Sequence, residues 1–98
     1  MKKVVHIVLV KFKPEITKEA KEKTIEDVLA LKETIPQITI ASAGKNFTDR
    51  GKGYEYGWVV ELEKKEDLPV YANHQSHLDF LSKYKSTFED VLAFDYEF

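Results

Sequence analysis

Val4-Val5-His6-Ile7-Val8-Leu9-Val10-Lys11-Phe12 reads as a β-strand that is apolar on both faces. β-Branched residues dominate it, and Lys13-Pro14 ends it because proline has no N–H to continue a ladder. Alternation puts His6, Val8, Val10 and Phe12 on one face and Val5, Ile7 and Leu9 on the other. An antiparallel strand covered by helices on one side only is expected to be polar on its open side. This one is not, and neither is the last strand, where Val91 and Ala93 alternate with Leu92, Phe94 and Tyr96. A sheet built from such strands needs a cover on each face.

The segments between supply only one cover. Thr17 is placed to cap a helix running to about Ile35, with Thr24, Ile25, Val28, Leu31 and Ile35 close to helical spacing on one side. Pro36 stops it, because the residue before proline is pushed out of the helical region. Residues 38–43 predict a second strand, and 44–53 a polar loop. From Tyr54 the pattern alternates: Tyr54, Tyr56, Trp58, Val60 and Leu62 share one face, while Glu55, Glu61 and Glu63 fall on the other. Residues 65–83 predict a helical stretch bent near Asn73, a turn is expected over 86–89, and 91–96 form the last strand. The order is βαββαβ, the α+β ferredoxin-like arrangement: a four-stranded antiparallel sheet with both helices on one face. Right-handed crossovers place both helices on that same face, so the other must be met from outside the chain. A second copy is the simplest supply, giving a homodimer through the sheet face.

Length and composition agree with a single domain over residues 1–98. A chain of 98 residues buries about 60–65% of its unfolded surface, so a partner covering an apolar face adds stability. Fifteen basic residues are interleaved with seventeen acidic ones, leaving no basic stripe to compete for a phosphate backbone, so nucleic acid is not an expected partner. The longest apolar run is interrupted by His6 and falls far short of the roughly 20 residues of a spanning helix, so no membrane association is expected either. The absence of cysteine rules out a thiolate nucleophile, a disulfide framework and a cysteine-based zinc site. It fits a cytoplasmic location. His74 and His77 are three apart, but only Asp79 stands near them at helical spacing, and no metal or other cofactor is expected.

The residues with chemistry to offer are few. His6 lies on the strand face assigned to the helices; His77 lies on the second helical stretch, six residues after Tyr71. With Tyr56 on the third strand, they are expected to converge between helix and sheet. Val8, Trp58, Phe80 and Phe88 would wall that pocket, a composition suited to a small molecule. Histidine takes a proton near neutral pH, and tyrosine donates to a carbonyl oxygen. The same residues also read as a satisfied core: a strand histidine bonded to a neighbour, and a helix histidine stapling a bend.

Val5-His6-Ile7-Val8-Leu9-Val10-Lys11-Phe12-Lys13-Pro14-Glu15 resembles the opening of the stress-responsive A/B barrel (Dabb) domains. The resemblance continues through Ile35-Pro36, Gly44-Lys45-Asn46, Gly53-Tyr54-Glu55-Tyr56, Tyr71-Ala72-Asn73-His74-Gln75-Ser76-His77 and Val91-Leu92-Ala93-Phe94-Asp95-Tyr96. It implies a dimeric α+β barrel, in which the sheets of two protomers wrap together. Plant polyketide cyclases of this kind use a histidine at the position of His77 as general base in an aldol condensation. A tyrosine at the position of Tyr71 holds it, and a histidine at that of His6 lines the pocket. This chain departs from them at Tyr56, where they carry histidine, at Gln75, where proline is usual, and at Leu81, where glycine opens the cavity. The resemblance therefore implies a small, apolar, carbonyl-bearing ligand with histidine acid–base catalysis. The alternative is a non-enzymatic, stress-associated dimer whose histidines are core residues.

Overall fold

The computed structural model describes residues 2–98. Its elements are β1 (Val4–Phe12), α1 (Lys18–Thr34), β2 (Ile38–Lys45), β3 (Tyr56–Leu62), α2 (Asp67–Asn73), α3 (Gln75–Tyr84), a 3₁₀ turn (Lys85–Thr87) and β4 (Phe88–Glu97). The four strands form one antiparallel sheet in the order β2-β3-β1-β4. This is the βαββαβ ferredoxin-like architecture, with the helices packed on one face. The molecule measures 41 × 29 × 17 Å, and the short axis is one helix layer on one sheet.

Local chemistry sets the boundaries. Thr17 Oγ1 accepts from the Ala20 N–H at 3.1 Å and starts α1; Ile35 turns extended before Pro36 and ends it. The second helical stretch is two helices, broken one residue beyond the expected bend. Pro69 sits in the first turn of α2, where its missing N–H has no partner to lose. Asn73 Nδ2 donates to the Pro69 carbonyl at 3.0 Å, and His74 goes extended to become the N-cap of α3, its Nδ1 accepting from the Ser76 N–H at 3.1 Å. The turn expected over 86–89 falls earlier, and β4 begins at Phe88.

The core lies between sheet and helices. Val4, Val8, Val10 and Phe12 meet Tyr56, Trp58, Val60 and Leu62 across the β1–β3 ladder, under Val28, Leu31 and Ile35 of α1. The alternation of β3 holds from Tyr56 onward but not before it. Tyr54 lies toward the open face, its hydroxyl donating to Asp90 Oδ2 at 2.8 Å and its ring under Lys11 Nζ. Glu55, expected on the open face, is instead turned toward α1: its carboxylate accepts from Lys21 Nζ at 2.7 Å and from the Phe12 N–H at 3.2 Å. A register shift in β1 at Lys11/Phe12 frees that N–H, and the lysine opposite draws the carboxylate across. Glu63 lies beyond the end of β3.

The open face carries Val5, Ile7 and Leu9 beside Leu92, Phe94 and Tyr96. Phe94 is 60% exposed, and every residue of β4 after Phe88 is exposed. Among the described residues no helix is long and apolar enough to cross a membrane.

Candidate active site

The register of three strands and the break between two helices bring His6, Tyr71 and His77 into one stack. His6 is held mid-strand on β1, opposite Val60 on one side and Asp95 on the other, on the helix-facing side. Tyr71, in α2, is buried and stands edge-on to His6 with ring centroids 5.5 Å apart. His77, in α3, lies against Tyr71 with ring centroids 4.6 Å apart. The α2–α3 break lies between Tyr71 and His77 and leaves the two rings in contact.

The hydrogen bonds define what each ring offers. The acceptor of the 2.9 Å contact from His77 Nδ1 is the Ala72 carbonyl, which has no proton to give, so Nδ1–H donates and Nε2 keeps its lone pair. Burial lowers the pKa of His77 below the usual imidazole value; the nearby His6 adds to this and the Ala72 carbonyl opposes it. His77 is therefore a neutral base at neutral pH. His6 Nδ1 donates to the carboxylate of Asp95. Tyr71 is pushed up to about 12 by burial and by the charge of Asp95, so its phenol stays protonated and can donate.

The sign of the His77 shift gives a stability prediction. A histidine whose folded pKa lies below its unfolded value of about 6.5 binds its proton more readily in the unfolded chain. Its contribution is complete above pH ~6.5 and is lost as the pH falls through the folded-state pKa. The urea midpoint should thus fall below pH 6.5, and His77→Gln should flatten that fall. An unchanged profile in the variant would show that His77 does not carry it.

The other expected residues separate from this trio. Tyr56 lies four residues along β3 from Val60, the neighbour of His6, or ~14 Å at strand spacing. Its ring packs edge-on to Phe12 instead. Trp58 sits edge-on to Phe80 at 5.9 Å and near Phe88 at 6.3 Å, and Phe88 meets Phe12 at 5.3 Å. These rings fill one another's space, with Leu81 partly buried against the same cluster. Val8, one rung from His6 and opposite Trp58, joins the two groups. Next to the trio, Asp95 borders a hollow of about 200 Å³ with Val4, Lys65, Leu68, Tyr96 and Glu97.

Asp95 is the functional candidate that sequence reasoning missed. Its signal was a carboxylate within the apolar strand 91–96, on the face of Val91 and Ala93. Pairing it with His6 requires the β1–β4 register, which joins residues 89 positions apart. His74, considered beside His77 as a metal ligand, has its Nδ1 engaged as a helix cap.

The model of the Stress responsive A/B Barrel Domain (Dabb) family matches residues 4–98. The chain belongs to this family. It is 35% identical to olivetolic acid cyclase of Cannabis sativa over 95 residues, which cover 95% of this chain and 94% of that protein. Among solved structures, the hydroxynitrile lyase of Passiflora edulis superposes with a TM-score of 0.91 over 98% of this chain and 93% of that one. At 18% identity it is a likeness of fold. A dimeric ferredoxin-like protein of unknown function from Bacteroides fragilis, 27% identical, superposes with a TM-score of 0.80 over 98% and 96% of the two chains.

Proposed function

We propose that this Dabb domain is a homodimer that binds a small, mostly apolar, carbonyl-bearing molecule beside His6, Tyr71 and His77 and abstracts a proton from the carbon next to that carbonyl. The observation that carries the reading is the His77 Nδ1–H bond to the Ala72 carbonyl. It turns the free Nε2 lone pair into a fixed base, held neutral by burial, beside a buried phenol that donates to a carbonyl oxygen. Tyr71 stabilises the oxygen as charge moves onto it, and the Asp95 carboxylate orients His6 against Tyr71. The 35% identity to a cyclase along nearly the whole chain supports the same reading. The closed Trp58–Phe80–Phe88 cluster and Leu81 favour a compact substrate over a long polyketide.

The test is deuterium uptake into 2-heptanone, 4-phenyl-2-butanone and acetophenone in D2O, followed by proton NMR. The protein should accelerate exchange at the α-carbon of at least one, and the same ketone should shift the His77 ring signals. Exchange at the buffer rate with all three, and unperturbed His77 signals, would overturn the proposal. Asp95→Asn, which keeps the shape and removes the charge, should slow that exchange by about tenfold, less than the roughly 10²–10³ lost with a donor to the reacting oxygen, because Asp95 acts through His6.

The dimer rests on the open face. Leu92 and Tyr96, 47% and 45% exposed beside Phe94, are large apolar side chains that a monomer leaves in water. Sedimentation at low micromolar concentration should give the mass of two chains.

A further inference from the structure

Tyr71 and His77 lie six residues apart in one helical stretch of sequence, and an unbroken helix would part them. At about 3.6 residues per turn, a spacing of six is about 120° around the axis and a spacing of five about 140°. On such a helix the His77 ring would meet neither the Tyr71 ring nor the Ala72 carbonyl. In the structure it meets both, the ring at 4.6 Å between centroids and the carbonyl at 2.9 Å. Both contacts depend on the break at His74, whose backbone is extended at φ −63° and ψ 139°.

The break redirects one backbone donor. In a continuous helix the Ser76 N–H would go to the Ala72 carbonyl, four residues back. Here it goes to His74 Nδ1 at 3.1 Å. The Ala72 carbonyl, released by that exchange, accepts the His77 Nδ1–H in its place. A helix end leaves carbonyls without partners and a helix start leaves N–H groups without them; at this break the two histidine rings take one of each. As neutral rings they hold their protons on opposite nitrogens. His74 carries its proton on Nε2 and accepts at Nδ1, while His77 carries its proton on Nδ1 and keeps the lone pair on Nε2. The residue after the break does not enforce it. Gln75 is a good helix former, and its side chain is spent on Asp79 at 2.8 Å.

We infer that His74 is a positioning residue of the site: by capturing the Ser76 N–H it holds the helix break, frees the Ala72 carbonyl and fixes the proton of His77 on Nδ1. The inference rests on the reading of His77 as the base and names the residue that sets its tautomer. His74 does not touch the substrate; it acts through a backbone carbonyl. A base presented in the wrong tautomer loses orders of magnitude in rate, so the effect reaches the chemistry.

Proton–nitrogen correlation NMR of the histidine rings tests this without any substrate. At about pH 8, above the ordinary imidazole pKa of about 6.5, the wild type should show His77 as the Nδ1–H tautomer and His74 as Nε2–H. His74→Ala should move His77 toward the Nε2–H tautomer and slow α-proton exchange by about tenfold or more. His74→Asn, whose side-chain oxygen can cap the same N–H, should keep His77 on Nδ1–H. So should His74→Ala combined with Gln75→Pro, because proline at the first helical position holds the residue before it extended without help from a ring. If the cap serves stability alone, His74→Ala would lower Tm and leave His77 on Nδ1–H, which would overturn the inference. Should His74→Ala fail to fold, the double variant decides, and His77 on Nε2–H there would overturn it as well. Exchange at the buffer rate in the wild type, with the tautomers as expected, would overturn the proposed reaction and leave the role of His74 standing.

Discussion

His77→Ala is expected to slow α-proton exchange by at least 100-fold while the chain stays folded. A positioned general base contributes roughly 10²–10⁴ in rate, and His77 presents beside Tyr71 a ring nitrogen fixed by the bond to the Ala72 carbonyl. The loss of the bond to the Ala72 carbonyl costs about 1 kcal/mol, a fall of about 4–8 °C in Tm for a domain of this size. Rate and stability therefore move by very different amounts. The pH profile of the wild type should show one inflection below 6.5, where His77 becomes neutral, and then stay flat. No alkaline limb is expected until the phenol of Tyr71 ionises at about 12. If the histidines serve only the core, His77→Ala would lower Tm and there would be no exchange for it to abolish. An exchange rate within threefold of wild type would remove His77 from the mechanism.

Phe94→Asp should convert the dimer to a monomer at low micromolar concentration. Phe94 is 60% exposed in one copy, so the substitution removes little from the fold of the chain, and surface changes of this kind usually stay within about 0.5 kcal/mol. In the dimer the same position, midway along the edge strand β4, is covered by the second copy. A carboxylate placed there loses its water without gaining a partner, and aromatic anchors at such positions are worth about 2–4 kcal/mol. That corresponds to a dissociation constant higher by roughly 30- to 1,000-fold. Sedimentation equilibrium with circular dichroism on the same sample separates the two effects. A folded dimer in the variant would show that the apolar sheet face is not the contact.

The fold was legible because it rests on local signals. Alternation in residues 4–12 marked a two-faced strand, Thr17 and Pro36 bracketed α1, and the apolar positions of α1 fell on one side. The resemblance to the Dabb domains singled out the positions of His6, Tyr71 and His77, and the contact of their rings is seen in the structure. The break at His74 was expected one residue early. The cap that makes it, a histidine ring accepting from Ser76, competes with simple helix continuation and does not show in periodicity.

Register decided the rest. Asp95 carries no mark of a site until β4 is laid beside β1 and its carboxylate meets His6. Tyr56 shares a strand face with the site in alternation, yet its height on β3 takes it to Phe12. Glu55 crossed to the helix side because Lys21 and a free Phe12 N–H lie there. The sequence by itself determined the elements, the buried and open faces, and the need for a second cover. The tertiary structure alone decided which side chains share a height on those faces, because strand pairing joins residues far apart in the chain and one step along a strand changes every neighbour.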